Sequence, residues 1–536
     1  MEGTFTDFSR EVVAGFLQTV VVLDDGAYLE PTEPTGEIVE PDQSRSIPEE
    51  EGEGVAAAVK PHVSPNALDA QALITSFAER GLVCGVLVPW KDDPSTDATL
   101  QASRRADIVI LDWQLGDEGE KATGLIQTLL EQDEARGGRL RMIVVYTAKP
   151  DLDPVRSAVA DAVPALKVTD GIEGSLALTG DHTRVVFIRK GKTSEISKAV
   201  SEGDLADRLI NEFVQLGSGI LSNVALGAIA AIRDETHKVL ARFHPDLDAA
   251  FLTHRLLLVT PDDAEGYAVD LLTAEFQSIL NGRNLGRTHA GPEVIEAALT
   301  EISSGGAEYR LMTQKNSEDQ SVVLTTDQLM TLIRKGPVGL GEIQGLNVGG
   351  AGSLHQRVYL LRGATMAAGL ATHRQFSRVS AYARERTTVP PEWVARLDLG
   401  SVVKKGDEYF LCIQPACDTL RLTEPTQFIF SALRRDEIAF DLVVRDAGGA
   451  EICLRLETKA SKISVATFTP DPGTGTVLSK PQAEDYALEA ASGEIFAWIA
   501  DLRASTALRF AHRVANDLAR IGIDEFEWQR RFSPSA

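Results

Sequence analysis

The sequence predicts a chain of several domains that begins with an α/β domain built on a doubly wound parallel sheet. Three short apolar runs, at residues 20–23, 106–111 and 142–146, predict this fold class. Buried strands of parallel sheets are almost continuously apolar, and each of these runs ends abruptly in a polar side chain. Patterns further along the chain predict a helical middle region and a C-terminal α+β region.

The polar residues at the strand ends indicate a functional site that could bind a metal ion. Asp24 and Asp25 follow the first run, Asp112 follows the second, and Thr147 follows the third. Ligands gather at the carboxyl ends of parallel strands, so these side chains should meet at one sheet edge. Mg²⁺ prefers oxygen ligands in octahedral geometry, which carboxylates and phosphate oxygens supply. The alternative is an ordinary doubly wound domain whose acidic strand ends only cap helices.

The order of strands and acids resembles the receiver domain of two-component response regulators. The chain is also similar, more loosely, to long bacterial response-receiver proteins found near ATPase or kinase genes. The resemblance implies a flavodoxin-like fold with five parallel strands, in which Asp112 is the phosphoacceptor and Thr147 is the switch hydroxyl. The Mg²⁺ ligands that it implies are Asp24, Asp25, Asp112 and the backbone carbonyl of Gln114.

Receivers also carry a phosphate-binding lysine at the end of the fifth strand, and the sequence offers two candidates. Lys167 follows Thr147 at a familiar distance, but the run before Lys167 is short and contains a proline. Lys190 ends a stronger β-branched and aromatic run. Phe187 stands three residues before Lys190, where receivers usually have an aromatic switch residue. We therefore predict Lys190 for the phosphate, although Gly191 follows it where proline is usual.

An acidic insertion explains the long interval between Asp25 and Asp112. Residues 26–65 contain nine acids, six prolines and only two bases, Arg45 and Lys60. A segment of this composition buries too little apolar surface to form a core. We expect either a solvated loop without a role or a lid or docking segment beside the site.

Length and composition limit the remaining possibilities. A chain of 536 residues, 43% hydrophobic and 24% charged, predicts a globular protein of three or four domains. The sequence has neither a long apolar run nor a basic signal region, so we expect a cytoplasmic protein without membrane contact. Four scattered cysteines agree with a reducing compartment. A net charge of −25 argues against a nucleic-acid partner.

The receiver-like domain should occupy residues 1–195, and residues 196–304 show apolar side chains at helical spacing. Such a region could connect two domains or form the seam of a homodimer. His237 lies in it, preceded by acids and off the apolar stripe. Phosphotransfer domains present their histidine in this way, so a phosphorelay role is one alternative, and an ordinary surface histidine is the other.

Residues 305–536 should form the α+β output domain. Asp441, Glu457 and Lys459 fall on a predicted hairpin that resembles the one in metal-dependent nucleases, where two carboxylates hold Mg²⁺ and a lysine helps to activate water. The same pattern also arises in ordinary exposed hairpins. Residues 493–520 are predicted to form one long amphipathic helix.

These features together predict a two-component-type response regulator. The resemblance implies that a histidine kinase or a GHKL-type ATPase supplies the phosphate and that the C-terminal region carries the output. Proximity to a kinase-like ATPase gene would place the system in a stress or anti-phage response. The competing hypothesis is an effector nuclease that the receiver regulates.

Overall fold

The computed structural model describes residues 3–519 apart from 29–67, 88–95, 116–117, 192–198, 259, 305–308, 316–317, 344–357, 363–365, 391–392, 438–439, 447 and 483–484. The chain divides into two compact units. The N-terminal unit comprises Met1–Phe243 and Leu272–Glu301, and the C-terminal unit comprises His244–Leu271 and Ile302–Ala536. None of the described helices combines the length and the apolar character needed to cross a bilayer.

The N-terminal unit is built on an eight-stranded sheet. Its strands are β1 (Thr19–Leu23), β2 (Val83–Leu87), β3 (Ile108–Leu111), β4 (Arg141–Thr147), β5 (Lys167–Asp170), β6 (Leu176–Thr179), β7 (Thr183–Lys190) and β8 (Ala199–Val200). Five of them lie parallel in the order β2-β1-β3-β4-β7. This is the strand order of flavodoxin-like folds, so the predicted five-stranded parallel sheet is confirmed, with β7 as its fifth strand.

Helices cover both faces of this sheet. Before the middle region they are α1 (Phe5–Phe16), α2 (Ala70–Ala78), α3 (Thr96–Arg105), α4 (Glu120–Glu134) and α5 (Asp153–Ala162). Successive side chains of a strand point to opposite faces, so each strand contributes to two apolar clusters. Tyr146 and Ile188 lie in the cluster that includes α1 and α2. Val145 and Phe187 lie in the cluster that includes α4 and α5.

The sheet continues past its fifth parallel strand, which the sequence did not predict. Between α5 and β7, residues 167–179 form an antiparallel hairpin, in which β5 pairs with β6, and β6 pairs in turn with β7. The two-residue strand β8 pairs in parallel with the end of β7. The fifth parallel strand is therefore an interior strand of the sheet.

The middle of the chain is helical, as predicted. Its helices are α6 (Leu205–Gly217), α7 (Ile220–Asp234), α8 (Thr236–Arg242), α9 (Asp248–Leu257), α10 (Asp263–Gly282), α11 (Leu285–Ala290) and α12 (Pro292–Ser304). In the N-terminal unit α6 packs against β7, and its residues Leu205, Leu209 and Phe213 are fully buried in the cluster that contains Tyr146.

A buried ionic network fastens α6 to the hairpin. Glu212 of α6 is fully buried and accepts hydrogen bonds from the backbone of Ile172, at 2.8 Å, and from the Ser175 hydroxyl. It also forms an ion pair with Arg184 of β7 at 2.9 Å and lies 3.6 Å from Arg208. A buried carboxylate is tolerated when its oxygens are this fully paired, so the network joins three elements firmly.

The C-terminal unit contains two further sheets. Its elements are β9 (Tyr309–Lys315), β10 (Glu318–Leu324), α13 (Thr326–Lys335), β11 (Val358–Arg362), α14 (Met366–Ala381), β12 (Tyr382–Glu385), β13 (Ser401–Lys405), β14 (Glu408–Cys412), β15 (Thr426–Arg435), β16 (Leu442–Arg445), β17 (Glu451–Leu456), β18 (Ile463–Phe468), β19 (Lys480–Gln482), β20 (Asp485–Glu489), β21 (Ile495–Leu502) and α15 (Ala504–Leu518). The three-stranded sheet has the order β10-β9-β11, and the other, a ten-stranded antiparallel sheet, has the main path β16-β17-β15-β14-β13-β21-β20-β19.

The prediction of one long helix over residues 493–520 is wrong in its first half. β21 is a strand that pairs with β13, β20 and β12, and α15 begins only at Ala504. β21 is rich in β-branched and aromatic residues, which suit a strand inside a sheet. Apolar spacing alone does not distinguish such a buried strand from a helix. Beyond it, α15 is amphipathic and buries Phe510 and Val514.

Candidate functional site

Three carboxylates converge where β1 and β3 end. The two strands are parallel neighbours, with Leu23 opposite Leu111, and the acids follow directly. Carboxylate oxygens of Asp24, Asp25 and Asp112 lie within 4.8 Å of one another. Asp24 is 3% exposed, whereas Asp25 and Asp112 are half-buried. Sheet topology alone thus brings together the acids that the sequence singles out.

Lys190 completes this acid cluster with a positive charge. It ends β7, and its Nζ lies 2.7 Å from Asp24 Oδ2 and 3.2 Å from Asp112 Oδ1. Its side chain is only 8% exposed. Lys167 begins β5, at the far end of the sheet path, and is exposed. Of the two candidate lysines, Lys190 is therefore the one in contact with the acids.

Burial and crowding make the charged form of Asp112 costly. Desolvation is the main cause that raises the pKa of this carboxyl group, and the neighbouring charges of Asp24 and Asp25 add to it. Lys190 opposes the shift. A divalent cation would relieve the same repulsion, and the oxygen donors present fit Mg²⁺. Asp24, Asp25 and Asp112 are the residues that could hold it.

Two other predicted site residues flank the acid cluster. Thr147 ends β4, is fully buried, and stands opposite Arg189 of β7. It therefore lies at the same sheet edge as Asp112 and Lys190, two residues beyond the Val145 that pairs with Leu111. Gln114 comes two residues after Asp112, and its side chain is exposed.

The predicted switch residue, Phe187, lies on the opposite face of β7 from Lys190. It is fully buried, stands opposite Val145 on one side and Leu176 of the hairpin on the other, and belongs to the second apolar cluster. The aromatic ring near Lys190 is instead Tyr146, whose centroid is 5.5 Å from the ammonium. Sequence reasoning missed Tyr146, although it directly precedes Thr147.

Tyr146 is a buried residue with a single directed hydrogen bond. Its ring is 1% exposed, and its hydroxyl donates to the carbonyl oxygen of Val200 at 2.7 Å. Burial is the main cause that raises the pKa of this phenol, so the hydroxyl remains a proton donor. Tyr146 thus contacts both the charged site and β8.

The proposed nuclease residues lie at the ends of an antiparallel hairpin, in which β16 pairs with β17, but both of their carboxylates are already paired. Asp441 pairs with Arg513 at 2.7 Å and accepts the backbone N–H of Leu456 at 2.9 Å. Glu457 pairs with Arg434 at 2.8 Å. Lys459 is exposed. Within the described residues, the only group of three or more potential metal ligands is the cluster of Asp24, Asp25 and Asp112.

Two further predictions concern residues away from the cluster. His237, in α8, is exposed, as the sequence indicates. The acidic insertion falls almost entirely on residues 29–67, outside the described part of the chain, so its role stays a prediction. At its base, the backbone of Tyr28 bonds to Leu68 and Ala70, each at 3.0 Å. The insertion therefore leaves and rejoins the fold at one point, just after Asp25.

Comparison with known proteins agrees with this geometry. The model of the response receiver domain family matches residues 16–195, a range that holds the acid cluster, Thr147 and Lys190. The searches of curated proteins and of solved structures give no match. The strand order, the acid cluster and the family match lead to one conclusion: residues 16–195 form a response receiver domain.

Proposed function

We propose that the protein is a phosphorylation-dependent response regulator in which Asp112 accepts a phosphoryl group with the help of Mg²⁺. The observation that carries this proposal is the convergence of three carboxylates and Lys190 at the carboxyl edge of the receiver sheet. Carboxylates alone would indicate only a cation site. The added lysine supplies a positive charge for a phosphate oxygen, which a simple cation site does not need.

Of the two acids that contact Lys190, Asp112 is the better nucleophile. Asp24 is more deeply buried, and both of its oxygens are engaged, one by the backbone of Gly26 at 2.8 Å and the other by Lys190. Asp112 has one contact with Lys190, at 3.2 Å, and its side chain is 15% exposed.

In the proposed reaction, a carboxylate oxygen of Asp112 attacks phosphorus and forms a new P–O bond. The bond between phosphorus and the donor breaks, and its electron pair leaves with the donor, so that the product is an acyl phosphate. Bound Mg²⁺ would supply charge neutralisation for the phosphoryl oxygens. The Lys190 ammonium donates to a phosphoryl oxygen, and Thr147 is the proposed second donor. Hydrolysis by water restores Asp112 and releases inorganic phosphate.

The phosphoryl donor is proposed to be a phosphohistidine on a sensor histidine kinase or a GHKL-type ATPase. The glycine-rich stretches at residues 336–342 and 349–352 lack the Gly-Lys-Ser/Thr sequence of a phosphate-binding loop, so a separate kinase is the simpler source. Residues 196–304 would then carry the change to an output in residues 305–536. A stress or anti-phage response is the biological setting proposed from the family resemblance.

Labelling of the full chain with acetyl phosphate tests this proposal. Wild type should gain phosphate in Mg²⁺ and not in excess EDTA, Asp112→Asn should not be labelled, and Asp161→Asn, which removes an exposed acid of α5, should match wild type. Equal labelling of wild type and Asp112→Asn would reject the assignment. Label that is lost in acid, survives base and disappears in His237→Gln would instead support the phosphorelay alternative.

A further inference from the structure

The carbonyl oxygen of Val200, in β8, accepts hydrogen bonds from two residues that lie beside Lys190. It accepts a hydrogen bond from the Tyr146 hydroxyl at 2.7 Å and another from the backbone N–H of Gly191 at 3.3 Å. Val200 also stands opposite Lys190 in the pairing of β7 with β8. One carbonyl therefore depends on two donors that are both next to the phosphate-binding lysine.

Gly191 explains why β8 can lie so close to β7. A Cβ atom on Gly191 would stand 2.4 Å from the Cβ of Ala199, so a larger residue would push β8 away. A proline here would also lack the N–H that Val200 accepts. Gly191, which stands where receivers usually have proline, therefore permits the pairing of β8 with β7. β8 in turn is followed by α6, which begins at Leu205.

The other aromatic candidate has no comparable position. Phe187 faces the opposite side of β7 and is covered by the β5–β6 hairpin, through Leu176. Tyr146 shares the apolar cluster of Ile188 and of the buried side of α6, including Leu205. A change at Lys190 therefore reaches α6 by a shorter route through Tyr146 than through Phe187.

We propose that Tyr146 is a positioning residue that couples the position of Lys190 to β8 and the start of α6. This inference rests on the proposed phosphorylation of Asp112. Without phosphate, the ring lies beside the Lys190 ammonium while the hydroxyl holds Val200. Phosphate on Asp112 draws Lys190 away from the ring, and the contacts that hold β8 weaken. The conformational change is thus transmitted through β8 and α6, because the β5–β6 hairpin covers β7 at Phe187.

Hydrogen exchange of the full chain, with and without beryllofluoride in Mg²⁺, tests this coupling. In wild type, amides of residues 199–210 should exchange faster when beryllofluoride is bound at Asp112. In Tyr146→Phe, which keeps the ring and removes the hydroxyl, these amides should already exchange about fivefold faster without beryllofluoride, as expected for the loss of one hydrogen bond. The further response to beryllofluoride should then be largely lost, while acetyl phosphate labelling of Asp112 stays within about twofold of wild type, because the hydroxyl makes no contact with the acids.

Two control variants make the result specific. Tyr382→Phe removes a buried hydroxyl of the C-terminal unit that forms no hydrogen bond with any described residue, and it should leave exchange at 199–210 unchanged. Phe187→Leu should keep the beryllofluoride response. Circular dichroism and thermal melting check that each variant is folded.

The outcomes separate this inference from the proposed function. A wild-type chain that neither accepts phosphate nor binds beryllofluoride would reject the proposed function and the Tyr146 coupling together. Normal labelling with an unchanged response in Tyr146→Phe would reject the coupling alone. A response lost in Phe187→Leu and kept in Tyr146→Phe would assign the switch to the residue that the family resemblance predicts.

Discussion

The ammonium nitrogen of Lys190 lies 3.2 Å from Asp112 Oδ1. This contact sets a cation against a carboxylate whose pKa is raised by burial and by neighbouring acids. Of the charged groups within the described residues that shift this pKa, Lys190 is the only base, and the others are Asp24 and Asp25. A second positive charge, such as a divalent cation, would therefore stabilise the charged carboxylates of this site. Lys190 is also placed to bind an anion there.

Removal of Lys190 should slow phosphorylation much more than it affects folding. Lys190→Ala deletes a preorganised donor to the phosphoryl group, and such losses typically cost about 10²-fold in rate. Lys167→Ala is the matched control, because Lys167 is exposed at the far end of the sheet path. Initial rates of acetyl phosphate labelling compare the two. Similar rates in Lys190→Ala and Lys167→Ala would contradict the assignment of the phosphate-binding lysine.

Mg²⁺ should stabilise the wild-type N-terminal unit against heat. A ligand that binds only the folded state at a hundred times its Kd contributes about 3 kcal/mol. Asp25→Asn should lose most of this effect, because it removes one proposed ligand of the cation while leaving the contacts of Lys190 with Asp24 and Asp112 in place. Calorimetry in Mg²⁺ and in EDTA measures the shift, and Asp161→Asn serves as the control. A full Mg²⁺ shift in Asp25→Asn would argue against the cation site.

Asp112→Asn should be more stable than wild type when no divalent cation is present. The pKa of Asp112 is raised in the folded state above its ordinary value of 3.8, so the folded protein holds this proton more tightly than the unfolded chain. The stabilisation of the folded state that comes from this proton is complete below pH 3.8, and it is lost as the pH rises through the pKa of Asp112 in the folded protein. At pH 7 the charged carboxylate therefore lowers the stability of the folded protein.

Denaturant unfolding in EDTA at several pH values tests this sign. The advantage of Asp112→Asn should grow as the pH rises from mildly acidic to neutral. An advantage that shrinks with rising pH would mean that the native environment favours the charged carboxylate, contrary to the raised pKa.

The buried network at α6 should contribute strongly to the stability of the N-terminal unit. Glu212→Gln leaves Arg184 and Arg208 without their shared carboxylate, and breaking a buried pair in this way costs about 3 kcal/mol or more. Glu173→Gln is the control, because Glu173 contacts Arg208 at 3.1 Å with a side chain that is 83% exposed. Urea unfolding should separate the two variants clearly. Equal stability would show that α6 and the hairpin are held mainly by apolar packing.

The acid cluster was predictable because it depends on chain order and on strand ends. Buried parallel strands are continuous apolar runs, so Asp24 and Asp112 could be placed at the sheet edge without knowledge of any contact. The choice of Lys190 over Lys167 depended on strand propensity and on Phe187, which stands where receivers usually have an aromatic residue. These features are local in sequence, and the fold only brings them together.

The hairpin and Tyr146 were not predictable on the same basis. β5 has a mostly exposed surface and no apolar run, so its pairing with β6 leaves little trace in the sequence. The role of Tyr146 depends on β8, a strand of two residues, and on a backbone carbonyl that no sequence pattern marks. β21 was mistaken for helix because its apolar spacing fits both structures.

Peptide mapping of the phosphorylated chain tests the central claim most directly. The full chain is treated with acetyl phosphate in Mg²⁺, then with borohydride, which reduces acyl phosphates, and is then digested with trypsin. Mass spectrometry of the peptides identifies the aspartate that was phosphorylated. We predict reduction at Asp112, none at Asp24 or Asp25, and none anywhere when EDTA replaces Mg²⁺. Modification at another aspartate, or an unmodified Asp112 in a chain that carries phosphate, would contradict the account.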